Sequence, residues 1–248
     1  MRAIFDLTGA DRLTFLQGMV SNDMRTLDKR DGIVWAALLT PQGKYLADFF
    51  VIALGPRLVM DIDASIAETT VKRLSMYRLR ADVQIVASDL SVTCGLINAP
   101  LGALPDPRHI AMGWRYYGAA MDAPAVDWDA LRVANVIPET GIELIANDTY
   151  LLEAGFERLN GVDFRKGCYV GQEVTARMKH KTELRKGLAR VSVAGSAPIG
   201  TPIMAGNKQA GVLFTQSGGS GIAYLRFDWA DGEMTAGDAK ILALEDPC

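Results

Sequence analysis

Residues 33–39 form an unbroken apolar run of strand length, and residues 45–53 form a second. Between them, Thr40-Pro41-Gln42-Gly43 places proline second and glycine fourth, as a tight turn prefers. The pair predicts a hairpin. Residues 58–62, beyond a turn at Gly55-Pro56, predict a third strand. Leu13, Leu16 and Val20 recur at helical spacing and predict a helix over residues 8–22, stopped at Ser21-Asn22. Ile66, Thr70 and Leu74 predict a second helix over 64–76, and 83–87 and 92–97 read as further strands. This order suggests an antiparallel sheet with a helix on one side, an α+β fold. Residues 127–135 read as a short helix ended before Pro138, and 141–186 as mostly irregular backbone. The pattern changes at Gly187. Ten of the 24 glycines fall from Gly187 onward, between short apolar runs at 188–193, 211–214, 222–225 and 241–244. That spacing predicts a small β-barrel. Two domains are therefore expected, 1–186 and 187–248. Gly218-Gly219-Ser220-Gly221 lacks the Gly-Lys-Ser/Thr of a phosphate-binding loop and reads as a hairpin loop.

At 248 residues, 49% of them hydrophobic, the chain can build real cores. No apolar run approaches the roughly 20 residues that span a bilayer, and Met1–Asp6 meets an acid at once, so neither a membrane segment nor a signal peptide is expected. Three widely spaced cysteines, Cys94, Cys168 and Cys248, suit a reducing compartment, cytoplasmic or, in a eukaryote, the mitochondrial matrix. There is no C-x-x-C, and His109 and His180 are isolated, so one chain supplies no four-ligand metal site. The net charge of −3 hides one basic stretch. Between Arg165 and Lys186, seven basic residues stand against two acids, Glu173 and Glu183. Either this is a solvated charged segment, or it receives an anion such as a polyglutamyl tail or a phosphate backbone. Direct nucleic-acid binding is not expected, and this stretch is the one place that could support it.

The densest chemistry is Lys166-Gly167-Cys168-Tyr169-Val170-Gly171-Gln172-Glu173. It brings a thiol, an amine, a carboxamide and a carboxylate into eight residues. On an extended segment Lys166 and Cys168 share a face, and a nearby ammonium lowers a thiol pKa. The alternative is a tight turn around a buried cysteine.

Lys-Gly-Cys-Tyr-x-Gly-Gln-Glu resembles the signature of the YgfZ family of folate-binding proteins, relatives of mitochondrial iron–sulfur assembly factors. That family lies in the superfamily of the glycine-cleavage T-protein (GcvT), an aminomethyltransferase. Four further segments resemble its motifs in the same order: Phe15-Leu16-Gln17-Gly18 with Asn22-Asp23, Gln42-Gly43-Lys44 with Asp48, Tyr77-Arg78-Leu79-Arg80, and Ile137-Pro138 with Gly141 and Glu143. The resemblance implies a ring of interleaved α+β subdomains around a central cleft, followed by a C-terminal barrel. It implies tetrahydrofolate or a one-carbon derivative as cofactor.

Leu151-Leu152-Glu153-Ala154-Gly155 is similar to the T-protein segment whose glutamate grips the pterin. A carboxylate can accept two parallel hydrogen bonds from an aminopyrimidinone edge. Asp48 lies near the T-protein's catalytic aspartate and reads either as a general base or as a polar residue on the outer face of a strand. The resemblance gives Cys168, Lys166 and Asp48 the chemical roles. It gives Glu153, Tyr169, Gly171, Gln172, Glu173 and Arg177 contacts to the cofactor. Arg78 and Arg80 would pair with folate carboxylates or with acids such as Asp82. The implied function is a folate-dependent accessory protein for iron–sulfur cluster assembly or repair in client enzymes, with effects on tRNA modification. The alternatives are an aminomethyltransferase of T-protein type and a ligand-binding module without chemistry.

Overall fold

The computed structural model describes residues 1–28, 30–180 and 184–244. Its longest apolar runs pair with each other. Gly32–Leu39 (β2) and Tyr45–Leu54 (β3) are antiparallel, with Trp35 opposite Phe50. The connecting turn closes with Gly43 N–H donating to Thr40 O at 2.9 Å. Arg57–Asp63 (β4) returns against β3, and Arg2–Thr8 (β1) pairs with β4 from Arg2 opposite Asp63 to Leu7 opposite Leu58. Gln84–Ala87 (β5) completes a sheet of order β2-β3-β4-β1-β5.

Both faces of this sheet are covered, which is why β2 and β3 read as continuous apolar runs. One face carries Ala36, Leu38, Phe49, Val51 and Met60 against Arg12–Met19 (α1) and Ala64–Tyr77 (α2). The other carries Trp35, Leu39, Phe50 and Ile52. Against that face lie residues 151–159, where Phe156 stacks on Trp35 with ring centroids 4.1 Å apart. A small sheet of Ser91–Gly95 (β6), Leu104–Pro105 (β7) and Trp114–Gly118 (β8) joins the same side, ordered β6-β8-β7. Trp128–Asn135 (α3) follows, capped by the Asp127 side chain.

Lys186–Ala194 (β9), Thr201–Ala205 (β10), Lys208–Ser217 (β11), Ser220–Arg226 (β12), Glu233–Ala236 (β13) and Ala239–Ala243 (β14) form a closed barrel of order β10-β11-β12-β9-β14-β13. It has its own core, including Val191, Ile203, Leu213, Leu225 and Ile241. Gly218 and Gly219 both take positive φ in the β11–β12 hairpin, the conformation a two-residue turn demands. Val133 and Val136 of α3 pack on Ile222 of the barrel, so α3 joins the two parts.

Three sequence expectations change. The helix expected over 8–22 is only Arg12–Met19, because the chain before it is the strand β1. Gly9 separates the two: its φ is +97°, and a Cβ there would stand 2.0 Å from Asp82 O. The segment 141–186 is not irregular throughout, since Gln172–His180 (α4) is helical. The strand expected over 92–97 ends at Gly95, where a Cβ would meet the Trp114 ring at 2.4 Å.

Candidate functional site

The central feature is a cavity of about 250 Å³ on the α3 side of the large sheet. Four cations line it, Arg2, Arg108, Arg115 and Arg132, and so do four acids, Asp48, Asp63, Asp106 and Glu139. The charges pair. Asp61, fully buried on β4, accepts from Arg2 Nε at 2.6 Å, Arg115 Nη2 at 2.6 Å and the Tyr117 hydroxyl at 2.8 Å. Asp106 holds Arg108 at 2.8 Å and Arg115 at 3.3 Å. The Arg115 and Arg108 guanidiniums lie 4.0 and 4.9 Å from the Phe50 ring centroid. Burial raises the pKa of Asp61 and Asp106, but their arginines outweigh it and hold both carboxyls below the usual range. With its arginines already matched by carboxylates, the site suits a ligand read by hydrogen-bonding edges more than a free anion.

Asp48 faces this cavity and is 5% exposed, so it is not a polar residue on a solvated strand face. The strand has no solvated face here, because both sides of the sheet are covered. Oδ1 accepts from the Tyr45 hydroxyl at 2.7 Å and the Thr140 hydroxyl at 2.6 Å, and Oδ2 accepts from Trp35 Nε1 at 2.8 Å. Burial and then the Asp48 charge push the Tyr45 pKa far up, so Tyr45 stays a donor. A carboxylate offers about four acceptor positions. Three are taken, which leaves one on Oδ2 for a ligand N–H or a transferred proton. Cys94 also lines the cavity, and burial pushes its thiol pKa up.

Glu153 lies elsewhere. It is buried in a second cavity of about 140 Å³ where the first region meets the barrel. Oε2 accepts from the Tyr224 hydroxyl at 2.7 Å, and burial followed by Glu153 raises the Tyr224 pKa strongly. Among the described residues, no hydrogen bond engages Oε1. The backbone is anchored as well: Leu188 N–H donates to Glu153 O at 2.7 Å, and a Cβ on Gly187 would stand 2.9 Å from that oxygen. Lys186 and Lys44 line the same cavity.

Neither cavity is lined by the signature segment. Its side chains divide between inside and outside. Lys166 is 4% exposed and Cys168 is exposed, so the two do not share a face as extended geometry led one to expect. The Lys166 ammonium turns inward, donating to Gln17 O and Val20 O at 2.5 Å each, and lies 4.7 Å from the Tyr169 ring centroid. Tyr169 is buried, and burial raises its pKa while the Thr175 side chain lowers it. Gly171 takes φ +82°, and a Cβ there would meet Thr40 O at 2.6 Å. A Cβ on Gly43 would meet Val174 at 2.8 Å. The glycines thus let the 40–44 turn sit on the start of α4, which opens at Gln172. Glu173 is exposed and pairs with Arg177 at 3.5 Å one turn along. Lys179 pairs with Glu157. Lys181 and Glu183 of the basic stretch, and Cys248, lie outside the described residues. Arg78 and Arg80 are exposed, and Arg78 donates to Val83 O at 2.9 Å.

Sequence reasoning missed the Asp61–Arg115–Asp106 network and the buried contact in which Arg132 donates to Glu143 at 2.5 Å and to the Thr215 hydroxyl oxygen at 3.3 Å. The available signal was a charge inside an apolar strand, Asp61 within 58–62 and Arg115 beside Trp114. Among the described residues, no three His, Cys, Asp or Glu side chains are placed to hold a metal ion.

Residues 185–246 match the family described as the C-terminal β-barrel domain of CAF17. The chain is 31% identical to an iron-sulfur cluster assembly factor IBA57 homolog, mitochondrial, of Mycosarcoma maydis, over 79% of this chain and 57% of that protein. It is 29% identical to the mouse mitochondrial iron-sulfur cluster assembly factor IBA57, over 94% of this chain and 78% of the relative. The human protein of that name is 27% identical over 90% and 75%. The chain thus spans little more than half of the fungal relative. The glycine cleavage system aminomethyltransferase T of Bartonella henselae superposes with a TM-score of 0.73 over 98% of this chain and 82% of that one, at 14% identity, which shows a shared fold. The chain therefore has the aminomethyltransferase fold with a CAF17-type C-terminal β-barrel, and is similar along most of its length to proteins named as iron-sulfur cluster assembly factor IBA57.

Proposed function

We propose that this chain supports the assembly or repair of iron–sulfur clusters in client enzymes, as a YgfZ-type accessory factor that binds a reduced folate. The observation that carries the reading is similarity along 94% of the chain to a protein named as an iron-sulfur cluster assembly factor. The exposed thiol of Cys168, between the buried Lys166 and Tyr169, is the reactive group a client could reach. The compartment is that of the clients, the mitochondrion named for the curated relatives or the cytoplasm. Effects on tRNA modification would follow through cluster-dependent enzymes. A strain lacking this protein is expected to lose activity of cluster-dependent enzymes, above all under oxidative stress. Wild type restores it and Cys168→Ala does not. Full restoration by Cys168→Ala removes the thiol from the mechanism.

The two cavities offer what a pteridine head needs. The central one, about 250 Å³, lies just below the roughly 300–1,000 Å³ of sites that enclose drug-sized ligands. Phe50, with the Arg108 and Arg115 guanidiniums over its ring, lines it, and Asp48 keeps one acceptor position for a ring N–H. The cavity at the barrel joint is the alternative seat: there Glu153 would accept from the exocyclic amine of a head bound in it, beside Lys44 and Lys186. A reduced folate would supply a carrier for a one-carbon unit. Asp48 would hold or accept the proton of the bound ring, and Tyr45, Trp35 and Thr140 fix the carboxylate for that task. Arg177 would meet an anionic tail outside the cavities, with Glu173 one turn before it orienting the guanidinium, and Tyr169, Gly171 and Gln172 would shape the segment. Removing a charged hydrogen-bond partner costs about 1.5–3 kcal/mol, so Glu153→Ala should weaken tetrahydrofolate binding roughly tenfold or more. Unchanged affinity by calorimetry would take Glu153 out of the site.

The fold and the buried Asp48 keep an aminomethyltransferase as the second reading. Tetrahydrofolate-dependent release of ammonia from an aminomethyl-lipoyl carrier by the purified protein would establish it.

A further inference from the structure

Two segments 149 residues apart in sequence grip each other reciprocally. Gln17 Nε2 donates to Lys166 O at 3.0 Å, and Lys166 Nζ donates back to Gln17 O and, at the end of α1, to Val20 O. Gln17 is itself fixed, since its Oε1 accepts from Met24 N–H at 2.8 Å. Neighbouring contacts extend the seam. Ser21 Oγ donates to Gly161 O at 2.6 Å, and Asp163 N–H donates to Ser21 O at 3.0 Å. Lys166 is the last anchored residue before the chain emerges at Gly167 and Cys168, both exposed. The next inward residue is Tyr169, whose ring lies beneath the same ammonium.

We infer that Gln17 and Lys166 are positioning residues, a latch that fixes the surface presentation of Cys168, and that Lys166 acts on the thiol through the backbone and not through its charge. The inference deepens the proposed function, because it rests on Cys168 acting at the surface. Three features support it. The amine is directed at carbonyls at the C-terminal end of α1, where a helix presents negative charge. Lys166 and Cys168 are on opposite sides of the segment with respect to solvent. The number of N–H groups also matches the task. Burial brings the Lys166 pKa down to about 8, with Asp23 and Asp163 raising it and Arg25 lowering it. The neutral amine still carries two N–H groups for two carbonyls, so the latch holds in either protonation state.

The test uses the full chain and the variants Lys166→Met and Gln17→Met. Each removes one side of the latch and keeps an unbranched stem. In both, amide hydrogen exchange over residues 164–170 should accelerate about tenfold or more, as loss of a hydrogen bond that restrains local opening implies, while exchange in the barrel stays as in wild type. The pH midpoint of iodoacetamide alkylation at Cys168 should stay where it is in wild type. Lys166→Arg, which keeps donors, should restore much of the protection. An upward shift of the alkylation midpoint by about one unit or more in Lys166→Met, the signature of a lost neighbouring cation, overturns the inference. So does unchanged exchange in Gln17→Met, the milder variant, which reads the latch even if Lys166→Met fails to fold. Failure of wild type to restore cluster enzymes would count against the proposed function alone, because the exchange and alkylation readouts need no client.

Discussion

Asp61→Ala is expected to destabilise the protein by about 3–5 kcal/mol, the range for removing one partner of a buried ion pair. Asp61 is fully buried and neutralises Arg2 and Arg115 while accepting from Tyr117. Arg115 is itself buried and keeps only Asp106, at 3.3 Å, as an acid partner in the variant. Arg2 is partly exposed and loses less. The effect should therefore pass mainly through Arg115 and loosen β8 against the large sheet. Urea denaturation of wild type, Asp61→Ala and Asp61→Asn measures it. The pH dependence has a definite sign. The folded carboxyl titrates below its unfolded value of about 3.9, so its contribution is complete above that value and is lost as pH falls through it. Wild type should lose its advantage over Asp61→Asn as pH drops below about 4. A wild-type advantage unchanged from pH 6 to pH 3 would refute the pairing.

The hairpin of β2 and β3 was legible in the sequence because both faces of the sheet are buried, so no polar residue interrupts the run except Asp48. The same fact made Asp48 misleading. A lone acid in a strand suggests a solvated face, and here it marks a cavity built by three donors from other positions. β1 escaped notice because its buried residues, Ile4 and Leu7, stand three apart and not two. The barrel announced itself through turn glycines, whereas β10 and β13, short and partly exposed, carried no apolar run. The signature segment was legible as a unit but not in its directions. Gly167 takes φ +98°, and this twist breaks the period-two geometry that would have placed Lys166 beside Cys168. The Asp61–Arg115 pair joins residues 54 apart on separate sheets, a contact that no local spacing encodes.

The second large effect is expected where the barrel meets α3. Arg132 is buried and donates to Glu143 at 2.5 Å, to Ile137 O at 3.1 Å and to Thr215 at 3.3 Å. Glu143, from the Ile-Pro-x-x-Gly-x-Glu motif, accepts from the Thr215 hydroxyl of β11 at 2.6 Å and from Glu139 N–H at 2.9 Å. The pair thus ties α3, the 137–143 loop and the barrel at one point. Arg132→Ala leaves a fully buried carboxylate without its cation and should cost about 3–5 kcal/mol. Glu143→Ala should cost less, because Arg132 keeps Asp129 at 2.9 Å and Glu139 at 2.8 Å. The double replacement Arg132→Met with Glu143→Leu should recover much of the loss, since well-packed apolar residues often replace a buried pair at little cost. Denaturation of the three variants gives the order, and hydrogen exchange localises it, with β11 and α3 opening before the barrel core. Equal costs for Arg132→Ala and Glu143→Ala, with no recovery in the double variant, would mean that the joint is held by Val133, Val136 and Ile222 and not by the charges.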